Sequence, residues 1–400
     1  MAALSFMLAF WGCGGPETVD PPPPPPPPPP SAPSLTVLGH GAVLDRFTGE
    51  LWVHGDYAYT ATIAVRAVGT VQNPGNAIKI WNVAGAVPVL VDSVIVPGAA
   101  RLSDIQVSDD GKLLLASLDI SPGSIVVYNL TNPTKPVLLS QFSNANMING
   151  VHTAEVQRVN GVIYAFLSTS PGTIPSRLEI VDLSNPSAPV SVFSRPMGSP
   201  FIHDVFVRDG LLFTAIWNSG AEIFDIGGGG RGGTVANPVS MGIINTVGGR
   251  VHNIWWYHDR NGSKKYLFIG EEGPTTATTT SGDIHVVDIT NMLLPREVAF
   301  FNVPNAGTHN FSMDEARGLL YAAYYNGGVR VLDMNGDLSA CAENEKGSNG
   351  RCDLGKMKRE VAVGLLNLGR PVSIWGVHFL NGSVYATDIG TGLYKMSQVP

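Results

Sequence analysis

One phrase, an apolar strand followed at once by an Asx-Pro turn, recurs along nearly the whole chain. Its clearest copy runs from Leu178 to Pro189 with the sequence LEIVDLSNPSAP. Asn, Asp and Pro end a strand because Pro donates no ladder hydrogen bond and Asx side chains close turns on their own backbone. Each copy therefore predicts one β-strand that ends in a tight turn. Looser or close copies lie at 78–88, 125–136, 221–226, 284–295 and 329–334.

A second phrase precedes each copy of the first and gives the repeat a sharper register. It is seen clearly in His203-Asp204-Val-Phe-Val207, and a turn and a further apolar strand follow it. Aligned units begin near residues 49, 103, 152, 203, 252, 309 and 375. Seven units about 50 residues apart, each with about four short strands and no helical periodicity, are typical of a β-propeller.

The sequence therefore predicts an all-β fold, a seven-bladed β-propeller of four-stranded antiparallel blades, over residues 35–400. Only 14% of residues are charged, and the 46 Gly and 30 Pro fit many buried strands joined by tight turns. One blade cannot cover both of its faces, so the blades must pack in a ring. The last unit ends one strand short at Pro400, and Leu35–Leu38 could supply that strand and close the ring.

A polar insertion at 337–358 explains the long interval before the last blade. It contains Cys341 and Cys352, and no His or other Cys neighbours them in the sequence. We therefore expect a loop-closing disulfide rather than a metal pair, which indicates an oxidising compartment.

The beginning of the chain predicts export. Residues 1–12 form an apolar run that is too short to span a bilayer and is typical of a signal peptide. Cys13, followed by two glycines, resembles the lipobox of bacterial lipoproteins, in which cleavage occurs before a Cys that then carries the lipid. A plain signal peptide or an arbitrary apolar start with an incidental Cys is the alternative. Residues 14–34 include ten consecutive prolines, which predict a semi-rigid polyproline II stalk.

The strand-and-turn phrase from Ile180 to Pro189 resembles the LVIVD repeat of bacterial surface and secreted β-propellers. The resemblance covers residues from about 49 to 400 and is strongest in the second, third and fifth blades. It implies a propeller fold, an exported location and a binding function without a settled activity. More distantly, 102–114 together with 125–136 is similar to segments of the selenium-binding protein and methanethiol oxidase propellers, which contain copper in a His-lined channel.

Charge and motifs narrow the classes of function. The net charge of −7 provides no basic surface for nucleic acid, so we expect no nucleic-acid partner. We identify no nucleophile elbow and no Cys paired with a His, so hydrolase chemistry has no support. We expect a monomeric binding or interaction module on the outer membrane, at the cell surface or in the periplasm, with a protein, carbohydrate or small-molecule ligand. It would touch the membrane only through its lipid anchor.

The alternative function is a metal-dependent oxidoreductase that uses Cu or Zn. Four histidines share one position in consecutive blades, so the pseudo-rotation of the ring places them on an arc at one depth. Neutral imidazoles are good ligands for either metal. The next positions on the same face are apolar, so the rings could instead begin the packed face between blades and bond to neighbouring backbone, or contact a ligand directly. The four are His152, His203, His252 and His309.

A second polar column lies one residue further along each unit. Alternation along a strand predicts that it points to the face opposite to the histidines. It could form a polar rim at the channel mouth that binds a ligand, although solvated or turn-stabilising side chains are the alternative. The candidate ligand-binding residues are Asp104, Asp204, Asn253 and Asn310, with Glu50 and Thr153 in the same column.

Three acids bracket a Thr-rich loop in the fifth unit, namely Glu271, Glu272 and Asp283. Carboxylates so placed could hold Ca²⁺. Ordinary solvated acids are the stronger expectation.

Overall fold

The computed structural model describes residues 33–198, 200–273, 280–366 and 368–399. Seven sheets follow one another along this part of the chain, and each contains four antiparallel strands. One short 3-10 helix, Glu343–Glu345, is the single helical element among the described residues. The predicted all-β propeller with seven blades is therefore confirmed.

The first strand of each blade lies at the central channel. These strands begin with the second repeated phrase, and their residues line one shared cavity. They are Phe47–His54, Leu102–Val107, Val151–Val159, Asp204–Arg208, Val251–Trp256, Phe311–Asp314 and Ile374–Leu380.

The two middle strands of each blade are the most apolar because neighbouring blades cover both of their faces. The second strands are Tyr57–Ile63, Leu113–Leu118, Val162–Thr169, Leu211–Ala215, Tyr266–Glu271, Leu319–Ala323 and Ser383–Asp388. Six of the third strands contain the first repeated phrase: Ala77–Asn82, Ser124–Asn129, Arg177–Asp182, Ala221–Asp225, Ile284–Asp288 and Val329–Asp333. The third strand of the last blade is Gly392–Ser397.

The outer strands are more exposed and end each blade at the rim. They are Val89–Ile95, Val137–Phe142, Val190–Pro196, Val239–Ile244, Arg296–Phe301, Glu360–Gly364 and Val37–Ala42. The first blade has an additional small hairpin, Arg66–Val68 with Val71–Asn73.

Apolar cores lie between the blades. The described residues form seven buried clusters, and each one combines side chains of two adjacent blades. In one cluster, for example, Ile80 of the first blade packs with Leu114 of the second. Another joins Trp81 of the first blade to Leu393 of the last. The apolar surface thus runs round the ring without an open end.

The ring is closed by a strand from the beginning of the propeller. Val37–Ala42 pairs antiparallel with Gly392–Ser397, and His40 lies opposite Tyr394. This strand starts two residues further along the chain than the Leu35–Leu38 stretch considered from the sequence. Leu35 itself is buried in the core between the sixth and last blades, and its amide donates to the Val363 carbonyl at 2.8 Å.

The insertion covers the edge of the fifth blade. A disulfide joins Cys341 to Cys352, and Cys352–Asp353 adds a parallel fifth strand beside Arg296–Phe301. Leu338 and Leu354 of the insertion are fully buried in the core between the fifth and sixth blades. An otherwise free sheet edge is therefore paired, which is a common protection against edge-to-edge association.

The predicted export signal, Cys13 and nearly all of the proline stalk lie outside the described residues. Within the described ranges, no helix is long and apolar enough to cross a membrane.

Closure of the ring can be tested at Gly41. A methyl group at this position would lie 2.5 Å from Cζ3 of Trp81, which is fully buried in the core between the first and last blades. Because overpacking of a filled core is destabilising, Gly41→Ala should lower the free energy of unfolding by about 1–3 kcal/mol. Urea unfolding of the full chain followed by tryptophan fluorescence measures this change.

The matched control is Gly85→Ala, in a nearby loop where an added methyl group meets nothing within 4 Å. It should leave the free energy of unfolding within about 0.5 kcal/mol of the wild type. Equal stability of the two variants would contradict the closing contact between the first and last blades.

Candidate functional site

A β-bulge interrupts the inner strand where the two polar columns begin. In the third blade the register shifts between Val151 and Thr153, and in the fifth between Val251 and Asn253. The first, second and last blades have similar shifts. A bulge breaks strict alternation, so the expected division of the two columns onto opposite faces is interrupted in these five blades. The columns instead form two stacked layers, one of histidines and one of acids and amides.

The histidine layer is a continuous row of rings across consecutive blades. Nε2 of His152 and Nε2 of His203 are 3.0 Å apart. The ring centroids of His203 and His252 are separated by 4.0 Å, and those of His252 and His309 by 4.2 Å. Trp375 of the last blade extends the row, 4.2 Å from His309. The repeat register has thus brought the four predicted histidines together.

Side chains of this layer also tie neighbouring blades through their backbone. Nδ1 of His203 makes a hydrogen bond of 3.1 Å to the His252 carbonyl, and the Thr153 hydroxyl donates to the His203 carbonyl at 2.8 Å. Ser103 similarly donates to the His152 carbonyl. These contacts fit the expectation that repeat-specific polar residues fix the ring.

His152, at one end of the row, belongs to a charged group that sequence reasoning missed. Its Nδ1 lies 3.0 Å from Oδ2 of Asp119, and Nε of Arg101 lies 3.3 Å from the same oxygen. Burial alone would raise the pKa of Asp119, but the charges of His152 and Arg101 lower it below its usual value. Asp119 directly follows the second strand of its blade, and its proximity to the His152 ring comes from packing between blades.

Glu272 lies against the middle of the histidine row. Its Oε2 is 3.7 Å from Nε2 of His252, and its Oε1 accepts a hydrogen bond of 2.5 Å from the Tyr325 hydroxyl. The side chain is only 3% exposed, so the expectation of a solvated acid at this position was wrong. Burial raises the pKa of Glu272 to about 7.

The central imidazoles are neutral around pH 7. Burial lowers the pKa of His252 to about 3, and burial together with the neighbouring histidines lowers the pKa values of His203 and His309 well below their ordinary value. Each ring therefore keeps one nitrogen with a free lone pair. Asn253 and the His309 backbone lie beside the His252 ring, but neither forms an aligned hydrogen bond with it.

The acid and amide layer forms the inner end of a cavity of about 510 Å³ in the channel. Asp104 accepts hydrogen bonds of 2.8 Å from the amides of Ile105 and of Ala154 in the next blade. Asp204, Asn253 and Asn310 line the same end. Asn253 is buried, whereas Asp104, Asp204 and Asn310 are partly exposed.

Glu50 crosses over the last blade to reach Asn310, whose amide donates to Oε2 of Glu50. The last blade has Gly376 in this column, and a methyl group there would lie 2.4 Å from Oε1 of Glu50. The absence of a side chain at Gly376 therefore gives Glu50 the space to make this contact.

Burial raises the pKa values of four carboxyl groups in the cavity, and neighbouring carboxylates add to the effect in three of them. Burial, and then the charge of Asp104, raises the pKa of Asp204 to about 7. Burial raises the pKa of Glu155 to about 8 despite a hydrogen bond from Gln106. Burial also raises those of Glu50 and Asp104. Among the described residues, no Lys or Arg forms an ion pair with any of the four.

Sequence reasoning missed Glu155 and the groups at the mouth. Glu155 lies two residues after Thr153 on the same strand, so alternation from that column could have identified it. At the mouth, Arg208 forms a bidentate ion pair with Glu315 at 2.6 and 2.9 Å, and this pair spans the fifth blade. Aromatic side chains also line the cavity, among them Trp52, Phe206, Trp255 and Phe379.

A separate buried group involves the other acids of the Thr-rich loop. Glu271 lies 3.1 Å from Nε2 of His285, whose Nδ1 is 2.5 Å from Glu297. Arg351 of the insertion pairs with Glu297. Asp283 instead accepts a hydrogen bond of 2.6 Å from the Asn302 amide. The three acids thus have different partners and do not converge on one oxygen-lined site.

Seven antiparallel blades around a central cavity define this chain as a β-propeller protein. The sequence model of the LVIVD repeat matches residues 45–64 and 176–195, so the chain contains LVIVD repeats. The second match includes the phrase from Ile180 to Pro189 that suggested the resemblance. The first covers the inner hairpin of the first blade, which the phrase alone did not single out.

The solved structures show the same fold. The chain is similar to Sqt1 of Saccharomyces cerevisiae, with 11% identity, a TM-score of 0.57 and coverage of 91% of this chain and 86% of that one. It is also similar to the β-propeller domain of Cps50 (Swd1) of Myceliophteria thermophila, with 11% identity, a TM-score of 0.58 and coverage of 90% and 99%. A search of curated proteins gives no significant match. At this identity the likeness shows the fold alone.

The buried acids make stability depend on pH. The pKa of Asp204 is about 7 in the folded chain against an ordinary value of 3.8, so its contribution to stability is greatest below about pH 4 and is lost as the pH rises through about 7. Asp204→Asn cannot ionise, so it should be more stable than the wild type by on the order of 1–3 kcal/mol at about pH 8. At about pH 4 the two should be similar.

Urea unfolding at several pH values measures the difference, with Glu343→Gln as the control because the Glu343 side chain is 88% exposed. A pH-independent difference for Asp204→Asn would show that this carboxyl group titrates normally.

Proposed function

We propose that the protein is an exported, lipid-anchored binding module whose central cavity binds a ligand through an alkylammonium group. The observation that supports this function is the set of four carboxyl groups without a cationic partner at the inner end of the cavity: Glu50, Asp104, Glu155 and Asp204. Arg208 is the one Lys or Arg among the described residues that line the cavity, and Glu315 already neutralises it.

A cation is the ligand that this arrangement favours. Each raised pKa reflects the free energy needed to ionise a carboxyl group that is partly or fully removed from water and has no Lys or Arg partner. An alkylammonium group has three donors and one positive charge, so it can satisfy several carboxylates together. The alkyl chain would extend toward the mouth, where Trp52 and Trp255 offer aromatic faces for cation and apolar contacts.

The size and rigidity of the cavity also favour binding. A volume of about 510 Å³ lies within the usual range for small-ligand sites. Most of the lining residues lie on β-strands, and Asp104 is held by two backbone amides. A site that is already ordered loses little conformational entropy when its ligand enters.

Export and anchoring rest on the first 13 residues and on the disulfide. The apolar run before Cys13 is typical of a signal peptide, and the Cys341–Cys352 disulfide suits an oxidising compartment. The ten consecutive prolines would separate the lipid from the propeller by about 30 Å. The cavity would then be presented to ligands outside the cytoplasm.

Calorimetry with n-pentylamine tests the ligand class. Because the carboxylates must be ionised to hold the cation, its affinity should rise about tenfold between about pH 6 and about pH 8.5. Neutral n-pentanol, which has the same chain, should bind at least about tenfold more weakly at the higher pH.

Two variants test whether n-pentylamine binds in the cavity. Glu155→Gln and Asp204→Asn should each weaken n-pentylamine binding by about tenfold or more and reduce its pH dependence. Glu343→Gln, on the exposed insertion, should have no effect. Equal binding of the amine and the alcohol, or binding unaffected by both cavity variants, would contradict the proposal.

Lipid attachment is tested by detergent partitioning of the full chain expressed in a bacterial host. The wild type should enter the detergent phase and incorporate labelled fatty acid, whereas Cys13→Ser should remain in the aqueous phase without label. Partitioning that does not change in Cys13→Ser would rule out attachment at this residue.

A further inference from the structure

The middle of the histidine row contains a second, separate cluster of ligand atoms. One potential ligand atom from each of His203, His252 and Glu272 lies within 4.8 Å of the other two, and all three side chains are buried. We propose that these three residues bind a divalent transition-metal ion with the ligand preferences of Zn²⁺. The site lies beneath the acid layer and does not depend on the cation proposed for the cavity.

Distances in the cluster are close to those that a metal requires. Ligand atoms about 2.0–2.2 Å from a tetrahedral ion are separated by roughly 3.4 Å. Nε2 of His252 and Oε2 of Glu272 are already 3.7 Å apart. The other two separations are no more than 4.8 Å, so the ligand atoms would have to move closer together by at most about 1.4 Å to reach the tetrahedral spacing.

An unmet hydrogen-bonding capacity supports the site independently of these distances. His252 is 2% exposed, and neither of its ring nitrogens has an aligned hydrogen-bond partner among the described residues. Nδ1 of the adjacent His309 is also buried without an aligned hydrogen-bond partner among the described residues. Buried polar atoms without a partner are uncommon and destabilising. A metal ion bound by His252 would satisfy one of these nitrogens.

Neighbouring groups already orient the other two ligands. His203 contacts the His252 carbonyl through Nδ1, which favours the tautomer with a lone pair on Nε2. Tyr325 donates to Oε1 of Glu272, which leaves Oε2 directed at His252. Metal binding through Nε2 of His203 would replace its present contact with Nε2 of His152 at 3.0 Å.

The donor set determines the class of metal. Two imidazoles and one carboxylate, with a fourth position for water, are typical of Zn²⁺ sites with three protein ligands. Cu²⁺ also binds such donors strongly, whereas Ca²⁺ and Mg²⁺ prefer oxygen ligands alone. His252 lies in the inner strand of the fifth blade, and His203 directly precedes the inner strand of the fourth blade. The ion would therefore link two neighbouring blades, and we expect it to stabilise the ring.

Titration with Zn²⁺ tests this site. The full chain, without a His tag, is first dialysed against a chelator and is then titrated. Calorimetry and elemental analysis should show one Zn²⁺ per chain, and the thermal unfolding temperature should rise with Zn²⁺ but not with Ca²⁺. A parallel titration with Cu²⁺ shows which of the two metals binds more tightly.

Glu272→Gln preserves the size of the side chain and an acceptor for Tyr325 but removes the anionic ligand. It and His252→Ala should each weaken Zn²⁺ binding by at least about tenfold, while His54→Ala, an exposed histidine outside the cluster, should bind normally. The visible spectrum of bound Co²⁺ gives a second readout of coordination geometry. Absence of stoichiometric Zn²⁺, or unchanged binding in the folded Glu272→Gln variant, would overturn the proposal.

Discussion

The burial of both faces of every blade against its neighbours is the constraint on which the structure depends. Each blade is a small twisted sheet whose middle strands are apolar on both sides, so no blade can be stable without two partners. Only a closed ring provides two partners for every blade. The core between the first and last blades, with Trp81 and Leu393, therefore has the same role as the cores between blades that follow each other in sequence.

Closure also explains why polar chemistry is concentrated at the centre. The inner strands of all seven blades converge there, and their side chains line one shared cavity. Asp104 accepts a hydrogen bond from the Ala154 amide of the next blade. In the histidine layer, His203 makes a hydrogen bond to the His252 carbonyl of the next blade. Burial at the centre also raises the pKa values of the acids there, to about 7 for Asp204 and about 8 for Glu155. The same convergence thus produces both the links between blades and the candidate sites.

Much of the architecture could be predicted from the sequence because similar strand and turn motifs recur in seven units. The strand ends at Asp182 and Asn129, and the common position of His152 and His203, follow from that periodicity. What could not be predicted comes from contacts between blades. Bulges interrupt the alternation of the inner strands in five blades, and Glu272 reaches the histidine row from a loop position where the sequence predicts a solvated acid. Nothing in strand alternation specifies either arrangement.

The central claim is that the channel holds buried carboxyl groups that lack a positive partner until a ligand supplies one. Carbon NMR of the protein labelled at Asp and Glu carboxyl groups tests it most directly. Asp204 should titrate with a pKa of about 7 and Glu155 with a pKa of about 8, and saturating n-pentylamine should lower both. Titration of both groups near their ordinary values, with no response to the amine, would contradict this account.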